Sequence, residues 1–277
     1  MRPPVPSWQR IARQAAAALS PREGARLLHV SDIHNSVRGY RFASALAGAL
    51  APDLVVNTGD LSGAGGLPEA VLLRTLWRIR GPQVLALGNH DSAVTTRVFR
   101  RMGAVVLDHP QLVAVAGVRV WGFPDPNRSP LFGPPYDIEL ARRAARMIRP
   151  PEGVGPYLIA VHDNAMVDRL PSEVGMVLSG HGHVPKVERQ EGVVFLRCGS
   201  TGGGGPFGGP LQAAVVDLAL PEHRPLRIWL LETDGRTSPW WKRGSEPALL
   251  PSAYLRRKRF STTVRTIDSR SERPRGM

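Results

Sequence analysis

Short apolar runs that stop on polar, chemistry-bearing residues recur through this chain, and that pattern restricts its fold more than any other feature. The plainest case is Val84-Leu-Ala-Leu, followed at once by Gly88-Asn-His-Asp91. Arg26 to Val30 runs into Ser31-Asp-Ile-His34, and Asp53 to Asn57 into Thr58-Gly-Asp60. Tyr157 to Val161 delivers His162, and Met176 to Leu178 delivers Gly180-His-Gly-His183. Such runs read as strands buried on both faces. In open α/β sheets, ligands bind beyond the carboxyl ends of the strands. A lone Asp-x-His or Gly-Asp arises easily by chance; an ordered series of them at strand ends does not.

The segments between these strands read as helices over Tyr40 to Leu50, Pro68 to Arg80 and Ala93 to Met102. Pro68 suits a first helical turn, and Gly81-Pro82 closes that helix. Strand and helix in alternation imply right-handed crossovers and a largely parallel sheet. Short strands follow over Val105 to Leu107, Leu112 to Val115 and Val118 to Phe123, the last two forming a hairpin at Ala116-Gly117. A Pro- and Gly-rich loop, Pro124 to Pro135, precedes a helix from Tyr136 to Ile148 that Pro150-Pro151 stops. Val187 to Arg197, Leu211 to Leu218 and Leu226 to Glu232 read as antiparallel strands. The economical assembly is a two-sheet sandwich with helices outside, one domain over residues 25–235. Residues 1–24 read as a loosely held basic arm with one helix around Trp8 to Leu19. Residues 236–277 lack apolar periodicity and read as a disordered basic tail.

Charge bears on partners through its location. The net charge of +13 is concentrated at the ends. Residues 253–277 hold eight Lys or Arg against two Asp or Glu, and residues 1–26 hold five Arg against one Glu. The middle is nearly balanced, whereas a nucleic-acid enzyme more naturally carries a basic stripe on its fold. The tail could still meet a nucleic acid or an anionic membrane surface. Cys198 is the one cysteine, which excludes an internal disulfide framework and a thiolate metal site. No run approaches the ~18 apolar residues of a membrane span, and Ile11 to Leu19 is a poor signal-peptide core. The expectation is a cytoplasmic protein without a transmembrane segment, with peripheral membrane attachment through the tail left open.

The strand ends offer Asp32, His34, Asp60, Asn89, His162, His181 and His183. If the local chain is extended, residues two apart share a side, so Asp32 with His34 and His181 with His183 can each face one point. Carboxylates, imidazoles and one amide oxygen suit Mn²⁺ first, with Fe or Zn²⁺ as alternatives. Seven candidates exceed what one ion with an open position uses, so two ions sharing a carboxylate fit better. Two ions ~3.5–4 Å apart can activate a water and clamp an in-line displacement.

The ordered set Asp32-x-His34, Gly59-Asp60, Gly88-Asn-His-Asp91, His162 and Gly180-His-Gly-His183 resembles the calcineurin-like metallophosphoesterase superfamily over about Arg26 to Glu232. Gly199-Ser-Thr-Gly-Gly also resembles a bacterial branch in which the catalytic domain often follows membrane-spanning segments, which this chain lacks. The resemblance implies a four-layer α/β/β/α sandwich of two mixed sheets flanked by helices, with a dinuclear centre. One ion would take Asp32, His34, bridging Asp60 and His183. The other would take Asp60, Asn89, His162 and His181. A bridging hydroxide would attack phosphorus in line, His90 would act near the leaving group, and Asp91 would orient His90. Asn35, Arg38, Arg128 and Lys186 are candidates for contact with a small phosphoester substrate, a guanidinium fork suiting phosphate oxygens; each also reads as a solvated surface group. The glycines after Ser200 could bring backbone N–H groups to phosphate, or form a plain loop.

The implied activity is hydrolysis of phosphomonoesters or phosphodiesters. A nuclease or RNA-processing phosphodiesterase and a catalytically inactive protein-binding scaffold of the same fold are the alternatives. His29 reads as a core histidine, His109 and His223 as surface positions, and Cys198 as a packed small residue.

Overall fold

β1 (Ala25–Val30) is buried along its whole length, and its alternation shows how the layers arise. Leu27 faces a core between two sheets, while Leu28 and Val30 face a core beneath helices. The same period of two recurs in β3 (Gln83–Ala86): Val84 and Ala86 point between the sheets, Leu85 and the following Leu87 toward the helices. A strand buried on both faces cannot alternate polar with apolar residues, hence the continuous runs. The computed structural model describes residues 8–128, 135–204, 209–233 and 262–268.

The first sheet is built from β1, β2 (Leu54–Asn57), β3 and β4 (Val105–Leu107), all parallel, with α2 (Val37–Leu50), α3 (Leu67–Leu76) and α4 (Ala93–Arg101) in the crossovers. The second holds β5 (Gln111–Val115), β6 (Val118–Gly122), β7 (Tyr157–Ala160), β8 (Val174–Ser179), β9 (Lys186–Gln190) and β10 (Val193–Arg197), in the order β5-β6-β7-β8-β10-β9. Its outer helix is α5 (Ile138–Met147). β11 (Leu211–Ala219) and β12 (Arg224–Thr233) return to the first sheet, where β11 lies antiparallel to β1. This is the four-layer sandwich expected. Three apolar clusters fill it: one between the sheets and one beneath each helical layer.

Three expectations are corrected. The N-terminal stretch is no loose arm over its described part: α1 (Trp8–Ala18) buries Ala12 and Ala15, and Trp8 meets Phe42 of α2 edge-on at 6.2 Å. Residues 187–197 are not one strand but the β9–β10 hairpin, reversed at Glu191-Gly192 by two positive φ values, and β10 runs parallel to β8. Beyond Gly235, residues 262–268 form β13, antiparallel to β12 and the outermost strand of the first sheet. The rest of the 236–277 tail, including most of its basic residues, lies outside the described residues. Among the described residues, no helix is long and apolar enough to cross a membrane.

Candidate metal centre

The loops that leave β1, β2, β3, β7 and β8 converge because small residues let them. A Cβ on Gly59 would lie 2.3 Å from the backbone nitrogen of Gly88, and one on Gly88 the same 2.3 Å from Asp60 Oδ1. The β2 and β3 loops thus touch where only glycine fits. The side chains gather for a reason other than the expected extended geometry. Asp32, His34, Asp60, His181 and His183 all adopt left-handed backbone, with φ between 45 and 62°. Each such non-glycine residue costs about 1 kcal/mol, so the surrounding contacts must over-determine the turns. Ser200 Oγ and the Gly202 N–H donate to the Asp32 carbonyl at 2.8 and 3.1 Å, and the Thr201 N–H donates to the Ser31 carbonyl at 2.8 Å. These N–H groups of the glycine-rich segment brace a candidate ligand and are not left to bind phosphate. Residues 205–208 of that run lie outside the described residues.

The seven candidate ligands come together. His34 Nε2 stands 3.0 Å from His183 Nε2, and His183 Nε2 stands 3.3 Å from Asp32 Oδ1. Asp60 Oδ2 lies 3.7 Å from His34 Nε2 on one side and 3.3 Å from His162 Nε2 on the other. Asn89 Oδ1 is 3.1 Å from His162 Nε2. His181 completes a group with Asp60 and His162, its donor atom within 4.8 Å of theirs. The Asp32–His34–His183 and Asp60–His162–His181 groups thus meet where Asp60 approaches His34, and the His90 ring joins His34 and Asp60 in a third group.

These atoms fit cations. The His162 Nδ1–H donates to the Thr58 carbonyl at 2.7 Å, so its Nε2 presents a lone pair. In the neutral ring that lone pair faces oxygens of Asp60 and Asn89, an arrangement of acceptors that a proton or a metal ion at Nε2 must hold. Asp32 Oδ1 is buried without a hydrogen-bond partner, although His183 is close. Electrostatics point the same way. Burial opposes a charged His162, but Asp60 and Asp32 outweigh it and raise its proton affinity well above that of free histidine. Burial likewise opposes charge on Asp60, yet His162 and then His34 hold its carboxyl below the usual range. Two buried carboxylates among imidazoles draw in positive charge.

His90 and Asp91 do not form the expected couple. The His90 Nδ1–H donates to the Gly63 carbonyl at 2.7 Å, which leaves Nε2 available. Asp91 instead accepts the backbone N–H groups of Asp60 and Gly88 on Oδ2, at 2.8 and 3.0 Å, and those of Leu61 and Ser62 on Oδ1, at 3.1 and 3.3 Å. The residue that orients His90 is Gly63, through its carbonyl, which no side-chain motif could have disclosed.

The substrate-side candidates divide. Arg128 Nε donates to the Asp91 carbonyl at 3.0 Å, which places its guanidinium beside the centre. The Asn35 amide is turned to Glu69, in the first turn of α3. Arg38 is half-buried in the first turn of α2. Lys186 is exposed and pairs with Glu188 at 2.6 Å on β9, a solvated strand contact. His29 is buried, its Nε2 3.0 Å from Thr58 Oγ1, and Cys198 is buried with a thiol that burial pushes well up. His109 is exposed, but His223 is not the surface residue expected: it is buried and accepts the Arg119 N–H on Nε2 at 2.8 Å. Sequence reasoning also missed Tyr136, whose ring lies 4.0 Å from that of His181.

A carboxylate–imidazole cluster beyond the strand ends of an α/β/β/α sandwich defines a class of metal-assisted phosphoester hydrolases. The chain belongs to the calcineurin-like phosphoesterases: the model of that family matches residues 25–185, more than half of its length. No curated protein matches it. Among solved structures, an archaeal phosphodiesterase aligns with a TM-score of 0.45 at 12% identity, over 72% of this chain and 96% of that one. The phosphoesterase YfcE of E. coli aligns with 0.40 at 16% identity, over 73% and 96%. Vps29 of Chaetomium thermophilum aligns with 0.40 at 13%, over 76% and 90%. Likenesses this distant carry no argument about substrate.

Proposed function

We propose that this phosphoesterase is a dinuclear enzyme that hydrolyses phosphomonoesters or phosphodiesters in line. The observation that supports this reading is the position of Asp60, whose carboxylate stands between His34 and His162. A carboxylate can serve two ions at once; a neutral imidazole has one lone pair to give. Asp32, His34, Asp60 and His183 would hold one ion and Asp60, Asn89, His162 and His181 the other. Bound there, two divalent ions supply a nucleophilic hydroxide at neutral pH and neutralise charge on the phosphoryl oxygens. Mn²⁺ suits this oxygen- and imidazole-rich set first, then Fe or Zn²⁺.

The protein's own groups do the rest. The Thr58 carbonyl fixes the His162 tautomer, and the Gly63 carbonyl fixes that of His90. His90 then offers Nε2 to the leaving oxygen, and Arg128 offers a guanidinium fork to phosphate. The tail, with eight basic residues against two acidic in 253–277, supports a second reading: a polymeric RNA substrate, or an anionic membrane surface that holds the enzyme.

The test measures metal content and Mn²⁺-dependent turnover of bis-p-nitrophenyl phosphate and p-nitrophenyl phosphate, with single-stranded RNA as a further substrate. Asp60→Asn should lower bound metal and abolish turnover; full metal with full rate in that variant sinks the two-ion reading. His90→Ala should keep its metal and lose about 10²–10⁴ in kcat. An ion-loaded wild-type protein that cleaves no ester points to the scaffold reading. Neutralising Arg256, Arg257, Lys258 and Arg259 suits the tail better than deletion, because deletion also removes β13.

A further inference from the structure

We infer that Tyr136 is a positioning residue for His181, holding that imidazole where the second ion would be bound; this rests on the two-ion reading above. The two rings lie 4.0 Å apart, centroid to centroid, at an interplanar angle of 31°. That is a tilted stack, closer than the 5.1 Å edge contact between His181 and His162. No hydrogen bond to the His181 ring is present among the described residues, in contrast to His162 with its carbonyl partner. The His181 backbone N–H donates to Asp32 Oδ2 at 3.0 Å, which holds the main chain but not the ring torsions. The stack supplies what a hydrogen bond supplies elsewhere in the centre.

Tyr136 is itself held from two directions. Its hydroxyl donates to Asp163 Oδ2 at 2.9 Å, and Asp163 Oδ1 caps the next turn by accepting the Ala165 N–H at 3.0 Å. Burial, then the charges of Asp125 and Asp163, keep the phenol protonated and so a donor. The same carboxylate oxygen stands 4.0 Å from His181 Nε2. The residue after Tyr136 is anchored on Asn127. The Asp137 N–H donates to Asn127 Oδ1 at 2.8 Å, and Asn127 Nδ2 donates back to the Asp137 carbonyl at 3.1 Å. Asp125 is tied by its N–H to the Leu87 carbonyl at 2.9 Å, at the end of β3. Tyr136 thus reaches the β8 loop from a base anchored on the β3 loop, one on each sheet.

The test uses full-length protein and two readouts. In the metal-free protein, the ring protons of His181, assigned by their loss in His181→Gln, should show an upfield ring-current shift by NMR. Tyr136→Phe should keep that shift; Tyr136→Leu and Tyr136→Met should lose it. In calorimetric Mn²⁺ titration, the Leu and Met variants should bind the second ion about tenfold more weakly, within the range for lost partners of metal ligands. The first ion should be unchanged, and Tyr136→Phe should match wild type within about threefold. The inference is overturned if the Leu and Met variants keep both the His181 shift and the second-ion affinity, if they weaken both ions equally, or if Tyr136→Phe fails as they do. A wild-type protein that binds one ion or none sinks the two-ion reading instead, and the NMR arm still decides whether the stack holds the ring.

Discussion

Asp91 acts on backbone, and that assignment carries a prediction at the scale of one residue. Its two oxygens accept four main-chain N–H groups from the β2 and β3 loops. Burial and then the nearby Asp60 charge push its carboxyl up, against the pull of the Gly88 and Ser62 N–H groups. Asp91→Asn replaces one acceptor oxygen by an amide NH₂ aimed at N–H donors. Removing hydrogen bonds to a charged group and leaving buried donors unmet costs about 2–4 kcal/mol in all. The variant should lose that much in urea unfolding, and bound metal should fall with it because Asp60 sits in the same loop. If Asp91 instead acted by orienting His90, stability and metal would be kept and kcat alone would drop.

At the scale of elements, the strands of the first sheet and the ligand-bearing ends were legible because burial on both faces leaves an unmistakable apolar run. Helix starts were legible within a turn: Ser36 caps α2 by accepting the Gly39 N–H at 3.1 Å, so the helix begins at Val37, three residues before the expected Tyr40 start. The β9–β10 hairpin was not, since β9 is largely exposed and Val187 to Arg197 carries no Pro or Asn-Gly signal at its reversal. β13 was missed because an outermost strand needs no apolar run, and Asp91's role because a carboxylate that holds backbone looks in sequence like one that holds a ring. A pair at the far end of the sheet was equally silent. Arg26 and Asp217 face each other across β1 and β11, bonded through both Nε and Nη2 at 2.7 and 2.8 Å, with Asp217 fully buried. The guanidinium also lies 5.4 Å from the Trp229 ring centroid. Breaking a buried pair strands one charge, so Asp217→Asn should destabilise by about 3–5 kcal/mol. Because the pair sits at the opposite strand ends from the metal centre, metal content and turnover per folded molecule should stay at wild-type values in assays well below the variant's Tm.

At the scale of the whole molecule, the helix-covered sheets bury histidines that must remain neutral, and this sets the response to acid. His29 lies within β1, with Nδ1 unpartnered and Nε2 against Thr58. Burial lowers its pKa to about 3, a shift that the Asp32 charge only partly offsets. Burial also lowers that of His223, which ties the β11–β12 turn to β6 through the Arg119 N–H. Between about pH 6.5 and 3 the unfolded chain carries a proton on His29 that the native state refuses. Stability is therefore fully present above pH 6.5 and falls as the pH drops, by about 1.4 kcal/mol per pH unit for that one proton. His34 and His162 run the other way in the metal-free protein, since their carboxylate neighbours raise their proton affinity. The bare profile of the wild type thus mixes both signs, and a comparison isolates the term. In urea titrations from pH 6 to 4, His29→Gln should show a slope smaller by one proton than wild type, whatever its absolute stability. Parallel slopes would mean that His29 takes up its proton in the folded state, and that the buried end of β1 admits a charge that its dry surroundings should exclude.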